Sequence, residues 1–292
     1  MSTVNPPVFR LLVVIAIAAA LVGLGGVNLS RIIGSGGAQP SLPEATAPPV
    51  RIPLFVPPGT VDHQTRFRFT YDPAPVLDDL RQGEGLDGVV AGAPTEAEAW
   101  RRLARWTARQ WEKGIPNPYP PPDARIILGD IRAGFTGGFC AQYCVVLIQA
   151  IQSFGAPARQ VTIEGHEVVE AWVADELRWI MLDPTYDLVV LDGDGRILDA
   201  LEIRRALDDG EADALRFSEG HRAAESIDEY VARFGSLAVW IRNDHISRPM
   251  NFTDFDRYRV WFDPQDPSML PDVALWTREV TDLWPALPGD EY

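Results

Sequence analysis

Lysine is almost missing from this chain. Lys113 is the only one in 292 residues, and 26 Lys and Arg face 41 Asp and Glu, for a net charge of −15. No basic stripe is available to neutralise phosphates, which excludes nucleic acid as a partner. Cysteine is nearly as scarce, and Cys140 and Cys144 alone cannot form a disulfide framework. The histidines (His63, His166, His221 and His245) have no metal-ligand spacing, so no metal and no other cofactor is expected. Asp192-Gly193-Asp194-Gly195 is not a calcium loop, because Val190 and Leu201 fall on two essential ligand positions. That run reads as a hairpin turn between 188–191 and 196–198.

What the chain does have is apolar content, 46% of its residues, enough for a real core. Residues 11–29 carry no charge, with Arg10 before them and Arg31 after them. A run of this length suits a single transmembrane anchor, with the following domain outside the cytoplasm. The alternative is a cleaved leader ending near Gly36-Gly37-Ala38, which makes the protein secreted. The expected organisation is an anchor or signal segment at 1–33 and a flexible Gly/Pro/Ala/Ser linker at 34–50. One domain with a C-terminal extension follows at 51–292.

Within that domain, 51–56 and 66–71 alternate as strands do. Thr95 with Glu98 has capping-box spacing and opens a helix that Gly114 stops. Its stripe of Trp100, Leu103, Ala104, Thr107 and Trp111 reads as core. Asp123 caps a short helix running to about Ile131. From Cys140 to Phe154, the residues Cys140, Tyr143, Cys144, Leu147, Ile151 and Phe154 fall on one helical face. Gly155 and Pro157 end that helix. Strands are predicted at 158–164, 168–174 and 178–182, the last two joined by an Asp175-Glu176 hairpin turn. A further helix is expected at 226–234 and irregular structure beyond Arg242. Helix followed by antiparallel meander gives an α+β class.

The chemistry centres on Cys140. It lies at the first turn of a helix behind Gly137-Gly138, where free N–H groups and the helix dipole favour a thiolate. The glycines would let a substrate backbone approach closely. His166 starts one strand of the hairpin and Asp183 ends the other, which makes them cross-strand neighbours. A carboxylate beside an imidazole fixes its tautomer and stabilises its charged form. Packing the helix N-terminus on this ladder aligns thiol, imidazole and carboxylate.

These residues carry a resemblance. Gly138-Phe139-Cys140, then Gly155-Ala156-Pro157-Ala158-Arg159, His166 with Glu170, and Trp179 with Leu182-Asp183-Pro184-Thr185 together resemble the transglutaminase-like superfamily of papain-like cysteine enzymes. The resemblance implies a papain-like, transglutaminase-like core with a nucleophile helix packed on an antiparallel sheet. It also implies Cys140 as nucleophile, His166 as base and Asp183 as orienting carboxylate, with Cys144 structural. The implied reaction is acyl transfer on an amide, as amidase, peptidase or transamidase. Its substrate would be a protein, a peptide or a cell-envelope polymer. Two other readings compete: an inactive binding module of the same fold serving envelope or surface-polymer assembly, and a redox protein using Cys140 and Cys144. The i, i+4 spacing of the two cysteines is not the Cys-x-x-Cys of redox sites.

Overall fold

In the computed structural model, residues 67–250 and 252–284 are described. The expected anchor at 11–29, the linker at 34–50 and the strand at 51–56 lie outside them. Among the described residues no helix is long and apolar enough to cross a membrane. Of the strand expected at 66–71 only β1 (Thr70–Tyr71) forms, and it pairs in parallel with Arg242–Asn243, away from the main sheet.

Two short helices, α1 (Asp78–Gly83) and α2 (Leu86–Val90), lead into α3 (Glu96–Ala108). Thr95 caps α3 as expected, accepting the Glu98 N–H. Trp100, Leu103, Ala104 and Thr107 are buried, so the stripe is core. The helix ends at Ala108 and does not run to Gly114. The Arg109 and Gln110 N–H groups tighten to the Trp106 and Thr107 carbonyls, and that closes the last turn early. Asp123 caps α4 (Ala124–Arg132) through the Arg125 N–H.

The helix expected from Cys140 forms as α5 (Cys140–Gln152). Burial on α5 also extends beyond the predicted stripe. Val146, Ile148 and Ala150, off that stripe, are as buried as Tyr143, Cys144 and Leu147 on it. The reason is position, since α5 lies between α3 and α4 on one side and the sheet on the other. Gly155, at φ 85°, takes the left-handed conformation that ends the helix.

The meander appears as predicted. β2 (Ala158–Ile163), β3 (His166–Val173) and β4 (Arg178–Leu182) pair antiparallel. Two further small strands, β5 (Val190–Leu191) and β6 (Arg216–Phe217), pair with each other, and the turn at 192–195 keeps only a single bridge, Leu191 to Ile197. Helices α6 (Ala200–Asp208) and α7 (Ile227–Ala232) follow. Then β7 (Leu237–Trp240) adds to the free edge of β2, and β8 (Arg242–Asn243) is the partner of β1.

The expectation of irregular structure beyond Arg242 is corrected by β9 (Arg259–Phe262) and β10 (Leu275–Thr277), which extend the sheet to the order β10-β9-β7-β2-β3-β4. Because β9 and β10 are parallel, the sheet is mixed and not purely antiparallel. A connection of about a dozen residues between them is what a parallel crossover needs. The short helix α8 (Val280–Leu283) follows β10. The class is α+β.

Alternation sorts the sheet's two faces. Ala158, Val169, Ala171 and Leu182 share a core with α5, while Val161, Ile163, Val168 and Met181 belong to the core on the other face. Gln160 and Thr162 alternate with Val161 and Ile163, and Glu167 stands opposite Thr162 in register. Polar side chains thus sit on the α5 face of the sheet.

Candidate functional site

The Gly137-Gly138 pair is required by the chain's own packing. A Cβ on Gly137 would lie 2.6 Å from the Ile115 carbonyl oxygen, and one on Gly138 would lie 2.8 Å from Trp111 Nε1. The segment 111–115 presses on the glycines, and the Gly114 N–H donates to the Gly138 carbonyl at 2.8 Å. This corrects the expectation that the glycines make room for substrate. Their role is to seat the start of α5.

At that start, Phe139 is the N-cap and Cys140 the first helical residue. The Gln142 side chain reaches back to accept the Phe139 N–H at 3.0 Å. Burial pushes the Tyr119 hydroxyl up to about 12, so it stays protonated at neutral pH. The Cys140 N–H belongs to the first turn, where amides lack intrahelical acceptors. The nearby upstream donor Trp111 Nε1 is already directed at the Gly138 carbonyl, 3.3 Å away. Cys140 is partly exposed, Cys144 is fully buried, and both thiols are free.

His166 opens β3 and Asp183 follows β4, and the structure joins them. His166 Nε2 lies 2.8 Å from Asp183 Oδ2, both side chains being buried. The two residues lie beyond the last ladder pair, Val169 with Leu182, so the contact is made at the open end of the hairpin. Cys140 and His166 line the same cavity, and with Nε2 on Asp183 the other ring nitrogen, Nδ1, is left for further contacts. Burial works against the imidazolium. The Asp183 charge and hydrogen bond, aided by Cys140, outweigh it and raise the ring to about 10. The imidazole and carboxylate are thus in direct contact, as their cross-strand placement predicted, and the imidazole shares a cavity with the thiol.

Three further residues complete the arrangement. The Tyr230 hydroxyl, from α7, donates to Asp183 Oδ2 at 2.9 Å. The Thr185 and Tyr186 N–H groups donate to Asp183 Oδ1 at 2.8 and 3.3 Å. The Tyr186 ring stacks on His166 with centroids 5.2 Å apart. A buried carboxylate held by this many donors is fixed in direction. Sequence reasoning missed Tyr230. Its only signal is the Ser226-x-x-Glu229 capping box, which forms and sets the helix that carries it.

Cys140 and His166 line a cavity of about 500 Å³. Aromatic walls come from Tyr119, Phe139, Trp240 and Trp261, and a polar floor from Gln160, Thr162 and Glu167. Arg159 and Glu170, which belong to the sequence motif, are not in this cavity. Glu170 Oε2 takes the Arg159 Nε and Nη2 hydrogens at 2.8 and 2.6 Å. Glu170 Oε1 takes the Ala200 N–H at 2.9 Å and the Trp284 indole at 3.1 Å. Arg159 Nη1 donates to the Leu283 carbonyl at 2.6 Å. These two residues brace α6 and α8 against the sheet. Among the described residues no group of His, Cys, Asp and Glu could hold a metal ion. In comparisons with known proteins, the chain matches no family model, no curated protein and no solved structure.

Proposed function

We propose that this protein is a cysteine-dependent acyl-transfer enzyme of transglutaminase-like type with a papain-like core, tethered outside the cytoplasm by residues 11–29. The observation that carries the reading is the hydrogen-bonded His166–Asp183 pair whose imidazole lines the same cavity as the Cys140 thiol. Its substrate is an amide of a protein, a peptide or an envelope polymer.

The Cys140 sulfur attacks the amide carbonyl carbon and forms a C–S bond, while the carbonyl π electrons move to oxygen. The Cys140 N–H, at the positive end of α5, faces the developing charge. On collapse the C–N bond breaks, and the leaving amine takes its proton from the His166 imidazolium. Water or a second amine then gives its proton to His166 and attacks the thioester, and the thiolate leaves with the C–S electrons. Asp183 keeps the imidazole in one tautomer and stabilises its charged form throughout.

The test is trapping of the acyl-enzyme. An activated p-nitrophenyl ester is mixed with the protein, and the burst of nitrophenolate and the mass added to Cys140 are measured. One acyl group on Cys140 is expected, with none on the Cys140→Ala variant. Absence of a burst, or acylation elsewhere, defeats the reading.

A further inference from the structure

Glu167 follows His166 in the chain and faces the cavity from the sheet. Gln160 Nε2 donates to its Oε2 at 3.0 Å, and the Thr162 hydroxyl lies 3.0 and 2.9 Å from its two oxygens. The Thr162 oxygen in turn accepts the Trp240 indole N–H at 2.9 Å, so its single hydrogen is committed to Glu167. The carboxylate is thereby fixed in direction. Two donors fill only part of its roughly four acceptor sites, and the remainder are left for whatever enters the cavity.

Among the described residues no cation lies within ion-pairing distance of Glu167. Arg259 of β9 also lines the cavity: its Nη2 lies 3.3 Å from Asp256 Oδ1, its guanidinium lies 5.3 Å over the Trp240 ring, and its buried Nε has no hydrogen-bond partner among the described residues. The other titratable groups around the cavity are His166 on β3, Cys140 on α5, Tyr119, Glu164 and His245. His245 is buried, and neither ring nitrogen has a hydrogen-bond partner among the described residues. Burial keeps its ring neutral, with the pKa lowered to about 4 despite Asp72 and Asp244. A part-buried carboxylate without an ion pair either takes up a proton or is matched by a charge that a ligand brings. Burial has raised Glu167 to about 7, against the pull of Gln160, Thr162, Arg259 and His166. The aromatic walls add a second attraction for positive charge, since ring faces are negative.

We propose that Glu167 is a specificity-determining residue that pairs with a nitrogen cation, a primary ammonium carried by the acyl donor in the pocket beside Cys140. This rests on the acyl-transfer reading and narrows it to donors with a lysine-like group near the scissile carbonyl.

The test compares p-nitrophenyl esters of Nα-acetyl-lysine and Nα-acetyl-norleucine on the full chain in detergent. The two differ in the ammonium. In each reaction the Cys140 sulfur forms the C–S bond and nitrophenolate leaves with the C–O electrons. Cys140 should be acylated faster by the lysine ester, by at least about tenfold in kcat/KM. In Glu167→Gln the ratio of the two rates should fall towards one. Thr162→Val, which frees the carboxylate to swing, should lower the ratio as well. The ratio in unaltered protein tests the idea even if a variant does not fold. Equal acylation by both esters overturns this inference and leaves acyl transfer standing. No acylation of Cys140 by either ester overturns both.

Discussion

The Tyr230 hydroxyl and the His166 ring meet the same oxygen of Asp183, Oδ2, at 2.9 and 2.8 Å. The tyrosine therefore acts on the imidazole through a shared acceptor and touches no substrate itself. Burial drives its own hydroxyl well above the ordinary tyrosine range, so it remains a donor at every working pH. Removing it in Tyr230→Phe deletes one hydrogen bond to a charged group, about 1.5–3 kcal/mol. The expected loss is about 10–100-fold in kcat/KM with the fold retained. A purely structural role would lower the melting temperature and leave the rate of folded protein unchanged, so both are measured.

Asp183→Asn should be far more damaging. The amide leaves the backbone N–H contacts partly satisfied but removes the charge that stabilises the imidazolium. Loss of the corresponding anion in Ser-His-Asp enzymes costs about 10⁴-fold, and a fall of that order is expected here. Circular dichroism should show a folded protein. A variant that keeps most of its activity would remove Asp183 from the mechanism.

Cys140→Ala and Cys144→Ala separate the two thiols. The first should abolish acylation without unfolding, since Cys140 is partly exposed. The second sits one turn inside α5 in the core, where losing a small buried group costs about 1 kcal/mol, and most activity should remain. If the pattern is reversed, the nucleophile is Cys144.

Two groups give the site a signature in stability against pH. His166 is raised from 6.5 to about 10, so its contribution is whole below about pH 6.5 and fades as pH climbs through 10. Glu167 is raised from 4.5 to about 7, so its contribution is whole below 4.5 and fades as pH climbs through 7. Both make the protein less stable as pH rises, in different windows. Thermal melts across pH should therefore differ from the unaltered protein between about 4.5 and 7 for Glu167→Gln. For His166→Asn the difference should fall between about 6.5 and 10. Difference curves with the windows exchanged or absent would contradict the assigned contacts.

Gly137→Ala tests the seat of α5. The added Cβ meets backbone, the Ile115 oxygen at 2.6 Å and nitrogen at 3.0 Å, which cannot swing aside. Destabilisation of about 1–3 kcal/mol is expected, together with a lower acylation rate because the helix start carries the thiol. Gly129→Ala, inside α4 with nothing within 4 Å of the new Cβ, is the control: it should raise stability by about 0.5–1 kcal/mol and leave acylation unchanged.

Much of this arrangement was legible where a local rule is strong. Thr95 and Asp123 name their helices by capping, Gly155 ends α5, and the Asp175-Glu176 turn sets the hairpin that brings His166 to Asp183. The sequence could not give what depends on distant pairing. Strands β9 and β10 are short and flanked by Pro and Asp, so nothing in 259–262 or 275–277 marks them until β7 supplies an edge. Tyr230 reaches Asp183 from a helix fixed only by the fold. Glu167 was within reach: Gln160, Thr162 and Glu167 are polar residues alternating with apolar ones at the adjoining ends of two paired strands, a pattern that signals a polar patch on one face of the sheet.

The brace of Arg159, Glu170, Leu283 and Trp284 has a consequence for how the protein is made. Synthesis delivers Arg159 and Glu170 long before Leu283 and Trp284. Until those late residues arrive, the pair lacks the carbonyl and the indole that complete it, and burying it half-partnered is costly. The late residues thus complete a polar cluster begun more than a hundred positions earlier, so the two ends of the described fold settle together. A chain shortened before Leu283 would keep the Arg159–Glu170 pair and lose two of its outside partners, and a lower melting temperature is the expected result.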